Sequence, residues 1–353
     1  MSGPAVRGRG AGVRAGGPSW HGVRVRTDER TLAYGGGWLD RAGALRGDPE
    51  WLSERLAGTG SVLLALWRDR CLVSADDAPV GLTGATAAEI SGVADEVVFL
   101  GLADDGGAVF AADLSGHAEP DALRLAGAAA ARDVRALAGR LGPAEAAAQA
   151  YARGLLHWHR QQRHCGACGA ATVARDGGHV RACAGPDCGR LLFPRIEPAI
   201  IVLVEAPNPP ARCLLARHGR APEGSYSTLA GFVEVGESLE DAVRREMAEE
   251  AGVTVTDLSY RGSQAWPFPA GLMVGFRATA SSEEVRVDGV ELLEARWFTR
   301  DELRERVAAG KPLGRVDSID RPPAPVVVRS GPAPGAAGRA PASPGRAPAG
   351  GTP

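Results

Sequence analysis

The sequence predicts an α/β protein: a C-terminal α/β/α sandwich, an N-terminal α+β domain, and a small cysteine-rich module between them. Three observations predict it. "SVLLALW" with "CLVS", and "EVVFLGLA" with "AVFAADL", read as two strand hairpins followed by helix-forming stretches. Four of the six cysteines fall between Cys165 and Cys188. Beyond residue 198, apolar strand patterns flank one strongly periodic helix.

Composition bounds the rest. A chain of 353 residues holds two or three domains, and a hydrophobic content of 44% is enough for real cores. The net charge of −2 gives no global basic field for nucleic acid. Lys311 is the only lysine, which speaks of genome composition rather than function. "MSGPAVRGRGAGVRAGGPSW" is basic but has no apolar stretch, so it is no secretory signal. No apolar run is long enough for a membrane span. The expectation is a soluble cytoplasmic protein.

In chain order, residues 1–28 are Gly/Arg-rich and expected to be disordered. The N-terminal domain spans 29–142. In it "RDR" and "DDGG" are the hairpin turns, and Asp121–Leu141 reads as one helix. Gly142-Pro143 breaks the chain, and 143–160 forms a helix leading into the cysteines. The cysteine module covers 161–193 and the last domain 194–320. In that domain the strands are Pro198–Ala206, Arg212–Arg217, Leu272–Thr279 and Glu294–Thr299, with a short helix from Asp301. The Pro/Ala/Gly-rich stretch 321–353 cannot bury a core and reads as a flexible tail.

The strong helix lies in "GFVEVGESLEDAVRREMAEEAGV", Gly231 to Val253. Ser238 reads as its N-cap, with Asp241 three residues on, and Gly252 as its C′ glycine. The helix therefore covers 239–251. Counting about 100° per residue from Leu239, Val243, Met247 and Ala242 form a core-facing arc. Asp241, Arg244, Arg245 and Ala248 fall opposite, where Glu240–Arg244 and Asp241–Arg245 make i,i+4 pairs. Glu246, Glu249 and Glu250 land on the apolar arc instead. Three carboxylates half-buried together repel, and their pKa values should rise. A divalent cation with a preference for oxygen, Mg²⁺ or Mn²⁺, removes that penalty; a coincidental surface cluster is the alternative.

Cys165-x2-Cys168 and Cys183-x4-Cys188 suit a tetrahedral Zn²⁺ site, with His164 or His179 as possible substitutes for a ligand. Four thiolates leave no open position, so that zinc would be structural. Cys71 and Cys213 sit in strand patterns and read as core residues. His157 and His159 read as ordinary helix residues at a domain junction.

The glutamate helix resembles the Nudix box, G-x5-E-x7-R-E-U-x-E-E-x-G-U, at every fixed position: Gly231, Glu237, Arg245, Glu246, Met247, Glu249, Glu250, Gly252 and Val253. "SQAWPFPAGLM", Ser263 to Met273, resembles the signature of the NADH pyrophosphatases of that family, with Ala265 in place of a proline and Gly271 in place of a serine. "ELLEARWF", the cysteine pairs, "FPRIEPAIIVLV" and parts of the N-terminal segment are also similar, so the resemblance covers roughly residues 55–320. It departs after Ser318-Ile319, where "DRPPAP" cannot continue the family's helix.

The resemblance implies the Nudix α/β/α sandwich and a metal-dependent hydrolase that cleaves NADH or NAD⁺ to nicotinamide mononucleotide and AMP. Relatives also remove NAD caps from RNA. It implies Mg²⁺ or Mn²⁺ on Glu246, Glu250, Glu249, Glu291 and the Ala230 carbonyl. Glu249 is then a ligand or the water-activating base, Glu237 supports the metal shell and Arg245 fixes a glutamate. It implies substrate contacts from Phe193 and from Gln264, Ala265, Trp266, Pro267, Phe268, Pro269, Ala270 and Gly271. Trp266 and Phe268 offer flat faces to a nicotinamide or adenine ring; a packed loop is their plainer reading. It also implies a structural zinc on Cys165, Cys168, Cys183 and Cys188, and a homodimer. Two rival functions remain: hydrolysis of ADP-ribose or dinucleoside polyphosphates, and a zinc-ribbon RNA-binding or regulatory protein with an inactive hydrolase domain.

Overall fold

Alternation and turn chemistry build the first sheet, seen in a computed structural model that describes residues 32–35, 39–311, 313–314 and 317–319. The tails expected at 1–28 and 321–353 lie outside the described residues. The N-terminal domain runs α1 (Pro49–Ala57), β1 (Val62–Trp67), β2 (Arg70–Val73), β3 (Gly81–Leu82), α2 (Gly84–Val93), β4 (Glu96–Leu102), β5 (Ala108–Asp113), α3 (Glu119–Ala126) and β6 (Ala130–Arg132). α4 (Pro143–Gln161) follows. β1 and β2 join through Arg68 and Asp69, both at positive φ (44° and 67°), in the two-residue turn that matches strand twist. Leu64 and Leu66 on β1 face α4, while Leu63 and Ala65 face α1, α2 and α3. Both faces of this sheet are covered, so its strands read as continuous apolar runs.

The single helix expected over 121–141 is not there. α3 stops at Ala126 because Gly127 takes the left-handed conformation (φ 62°) and caps it through Gly127 N–H to Arg124 O and Ala128 N–H to Leu123 O. Ala130–Arg132 then pairs with β2. The alanine run supports a helix by propensity alone, and the free edge of β2 outweighs it. α4 carries Gly142 as N-cap and Pro143 at N1, and ends at Gln161.

The cysteine module is a three-stranded antiparallel sheet of β7 (Thr172–Arg175), β8 (Val180–Cys183) and β9 (Leu191–Leu192). It docks on the N-terminal domain through buried polar groups. His159 (2% exposed) bonds Glu96 at 3.0 Å and the Gly178 carbonyl at 2.7 Å, and Arg181 bonds Glu96 at 2.6 Å. The two charges are paired, which is the condition for burying them.

The last domain runs β10 (Glu197–Glu205), β11 (Arg212–His218), β12 (Leu229–Phe232), α5 (Leu239–Ala251), β13 (Val255–Trp266), β14 (Gly271–Ala280), β15 (Leu292–Thr299) and α6 (Arg300–Ala308). Val243, Met247 and Ala251 of α5 pack on Ile200, Val202 and Val204. On the other face Leu303 of α6 packs with Cys213, Leu215 and Phe298. This is an α/β/α sandwich.

The two sheets share one plan. Strand order is β13-β14-β10-β11-β15 with β12 on β10 in the last domain, and β4-β5-β1-β2-β6 with β3 on β1 in the first. β10–β14 and β1–β5 are the parallel pairs of each. α2 therefore holds the place of α5, between β3 and β4 as α5 lies between β12 and β13.

Candidate active site

α5 is fixed at both ends by short-range chemistry. Ser238 Oγ accepts from Asp241 N–H at 3.1 Å, and Gly252, at φ 67°, takes the left-handed turn that closes the C-terminus. Val243 and Met247 are fully buried, which anchors one face in the core. Glu246 and Glu250 lie on that same face, 9% and 4% exposed. Glu249 does not join them. Its side chain is 62% exposed and leans on Arg245 at 3.0 Å. The burial expected of all three therefore holds for two, because Glu249 lies at the edge of the apolar arc where the sheet no longer covers the helix.

Burial pushes the Glu250 carboxyl up to about 8, aided by the negative charges of Glu246 and Glu291. Burial also raises Glu246, against the opposing pull of Arg245. Glu250 Oε2 is buried without a hydrogen-bond partner among the described residues. An orphaned, electron-rich oxygen beside two more carboxylates is a donor set that fits a hard divalent cation such as Mg²⁺ or Mn²⁺. The glutamates are not drawn to one point: among the described residues, the four cysteines alone form a group of three or more His, Cys, Asp or Glu with all ligand atoms within 4.8 Å.

Arg245 is not on the outer face as the helical count implied. Its guanidinium holds Glu237 through two bonds of 2.6 and 2.9 Å, reaches Glu246 and Glu249 at 3.0 Å each, and donates to the Phe232 carbonyl at 2.9 Å. The expected Asp241–Arg245 pair is absent because a bidentate carboxylate outcompetes a single exposed one. Arg244 accordingly pairs with Asp241 at 3.3 Å, not with Glu240. Arg245 and the Glu234 N–H hold Glu237 down to about 2. Gly231 on β12 lies directly under Glu246, and a Cβ there would overlap its carboxylate. The glycine is required by that close approach.

Glu246, Glu250 and Gly231 open on a cleft of about 810 Å³, which Glu237, Arg245 and Glu249 do not line. Glu246, Glu250, Glu291, Ala230 and Gly231 line one side, and Trp266, Phe268, Pro269 and Gly271 line another. Phe232, 63% exposed, also lines it, as do His218 and Arg220. None of these three was singled out from sequence, and an exposed aromatic inside the acidic motif was the available signal for Phe232.

The remaining substrate candidates are placed otherwise. Gln264 is 2% exposed and its amide is consumed: it donates to the carbonyls of Ala33 (3.1 Å) and Asp317 (2.7 Å) and accepts from Ile319 N–H (2.7 Å). It ties distant segments together and does not face the cleft. Ala265, Pro267 and Ala270 do not line the cleft either, and Pro267 packs against Gly154 of α4. Phe193 is 60% exposed after β9 and does not line the cleft.

The aromatic loop is gripped from the N-terminal side. Arg153 donates to the Pro267 carbonyl at 2.7 Å and lies over Phe268 at 5.0 Å. Arg135 lies over Trp266 at 4.4 Å, and the Tyr34 ring meets both aromatics edge-on. Trp266 and Phe268 are thus packed at their backs and open to the cleft in front.

At the cysteine module, Cys165 Sγ lies 3.9 Å from Cys188 Sγ, and Cys168 Sγ lies 3.4 Å from Cys183 Sγ. Tetrahedral zinc thiolates stand about 3.8 Å apart, given Zn–S bonds of about 2.3 Å. The backbone N–H groups of Ala167 and Cys168 hold the Cys165 thiol down to about 6. Neither His164 nor His179 joins the group, and His179 Nε2 bonds the Phe99 carbonyl at 2.8 Å. Cys71 and Cys213 are core thiols, each pushed up to about 12 by burial.

Comparison with known proteins follows the same three-part division. The NUDIX domain model matches residues 195–315, the NADH pyrophosphatase-like rudimentary NUDIX domain model residues 60–158, and the NADH pyrophosphatase zinc ribbon domain model residues 160–193. The chain is 41% identical over 275 residues to the NAD-capped RNA hydrolase NudC of Mycobacterium tuberculosis, covering 77% of this chain and 83% of that protein. It is 43% identical over 173 residues to the NAD-capped RNA hydrolase NUDT12 of Homo sapiens and of Macaca fascicularis, covering 47% of this chain. The chain spans 37% of the length of those two relatives.

Proposed function

We propose, from the premise that this chain belongs to the NUDIX family, that it hydrolyses the diphosphate bond of NADH and NAD⁺ to nicotinamide mononucleotide and AMP, and removes NAD caps from RNA. One observation carries the reading: a single cleft joins a buried carboxylate pair, Glu246 and Glu250, to the ring faces of Trp266 and Phe268. A diphosphate flanked by two flat bases matches that pairing of charge and aromatic surface.

Glu246, Glu250, Glu291 and the Ala230 carbonyl would hold Mg²⁺ or Mn²⁺. Such ions, when bound, neutralise phosphate charge and lower the pKa of a coordinated water. The chain's own part is positioning. Trp266 and Phe268, braced by Arg135 and Arg153, orient a base. Arg245 fixes Glu237 and steadies Glu246 and Glu249. Glu249, held at the exposed edge of α5, takes the proton of the attacking water as its oxygen bonds to phosphorus. The bridging P–O bond then breaks, and its oxygen leaves with the other nucleotide.

Cys165, Cys168, Cys183 and Cys188 would hold a structural zinc, which with free core thiols suits the reducing cytoplasm. Leu191, Phe193 and Ile196 form an exposed apolar run that a second copy would cover, consistent with a homodimer. The test is direct. NADH, NAD⁺, ADP-ribose and NAD-capped RNA are each incubated with the protein and Mn²⁺, or with chelator. Metal-dependent release of AMP from NADH is expected, and its absence rejects the reading.

A further inference from the structure

We infer that Arg220, with His218 beside it, is the phosphate-gripping lip of the cleft. Resting on the proposed diphosphate substrate, it is the cationic counterpart to the carboxylates that face it. Both residues line the cleft that Glu246, Glu250 and Glu291 line, and Arg220 is the only arginine among its described lining residues. Neither side chain has a hydrogen-bond or ion-pair partner among the described residues, although most arginines of this domain are paired. An unpaired guanidinium beside acidic groups that leaves them alone is available for a ligand, and a phosphate is what its planar fork fits.

The backbone aims these residues. The β11–β15 ladder runs in register as far as Arg217↔Glu294 and then slips, so that His218 meets Leu292. The unpaired residue, Leu293, lies on β15, so the bend falls on the strand that follows Glu291 and sets that segment against His218. Gly219 N–H then bonds the Glu291 carbonyl at 2.9 Å. The peptide between His218 and Arg220 is therefore tied to the segment that presents Glu291, and cation and carboxylate sides are held at one spacing.

The N-terminal domain supplies an internal control. Its equivalent loop, between β2 and β3, reads "SADDAPV" and holds two aspartates with no arginine or histidine. Its ladder β2–β6 has no bulge. Its equivalent helix α2 carries a single carboxylate, Glu89. Cationic loop and acidic helix are present together in one copy and missing together in the other, as expected of two halves of one site.

The experiment uses the full chain with Arg220→Ala, Arg220→Lys and His218→Asn. ADP and adenosine binding are measured by calorimetry with Mg²⁺, alongside steady-state turnover. Arg220→Ala should weaken ADP about tenfold or more and leave adenosine within about twofold, with Arg220→Lys recovering part of the loss. KM for NADH should rise by a similar factor with kcat little changed, since the phosphate is held before and during reaction. An equal rise with NADH and NAD-capped RNA assigns the grip to the diphosphate, and a rise confined to capped RNA overturns it. Equal weakening of ADP and adenosine, or of neither, overturns the inference. If wild type turns over NADH and Arg220→Ala matches it, the inference falls while the function stands. If wild type ignores NADH but its ADP affinity depends on Arg220, the reverse holds.

Discussion

The buried carboxyl of Glu250 makes a quantitative prediction. Its carboxyl is 4% exposed and raised from 4.5 to about 8 by burial and by Glu246 and Glu291. In the unfolded chain the same group ionises near 4.5. Between those values the folded state holds more protons than the unfolded state, so stability falls as pH rises. The contribution is fully present below about pH 4.5 and is lost through about pH 8. Each pH unit inside that window costs about 1.36 kcal/mol. From pH 6 to pH 8 the loss is roughly 2 kcal/mol, allowing for partial ionisation at the top of the range. For domains of this size that is about 5–10 °C in melting temperature.

The assay is thermal melting in chelator at pH 6 and pH 8, comparing wild type with Glu250→Gln. Wild type should fall by about 5–10 °C more than the variant, whose amide does not titrate. His179, held down to about 4 by burial, stabilises the fold as pH rises toward 6.5, but equally in both proteins. Adding Mn²⁺ at pH 8 should raise the wild-type melting temperature more than that of Glu250→Gln. The reasoning is refuted if wild type and variant show one pH dependence.

Three further outcomes are expected. Gly231→Ala should lower kcat by about 100-fold or more while far-ultraviolet dichroism stays native, because the added methyl displaces the flexible Glu246 carboxylate rather than backbone. Glu249→Gln should cut kcat by about 10²–10⁴-fold with the melting temperature little changed, since the side chain is 62% exposed; full activity would remove it as the base. Cys165→Ser should reduce zinc, measured by metal analysis, from about one ion per chain toward none and lower the melting temperature.

Elements specified by neighbouring residues were legible in the sequence, and those specified by distant ones were not. α5 was readable to the residue because Ser238, the apolar spacing and Gly252 all act within a few positions of one another. The β1–β2 and β4–β5 hairpins were readable for the same reason. The parallel pairs β1–β5 and β10–β14 join strands with other elements between them, and no local pattern announces them. The misread helix over 121–141 failed because the edge of β2, about sixty residues upstream, recruits Ala130–Arg132. At the site, Glu246 and Glu250 followed from helical geometry. Gln264 did not, because its partners Ala33, Asp317 and Ile319 come from the two ends of the described chain.

The shared sheet plan separates fold from chemistry within one molecule. Both domains place a helix after the third strand and a parallel pair at the centre, so the architecture alone assembles no acidic cleft. What the last domain adds is a few side chains: Glu246 and Glu250 on α5, Gly231 cleared beneath them, and Glu291 opposite. Relieved of those charges, α2 packs Ala87 and Ile90 into a wholly apolar core. The first domain serves the cleft from outside. Arg135 after β6 and Arg153 on α4 brace Trp266, at the end of β13, and Phe268, in the turn that follows it. Rigid aromatic faces lose less entropy when a base stacks on them than mobile ones do. The domain without the acidic helix thus acts as a scaffold that holds Trp266 and Phe268 of the last domain still.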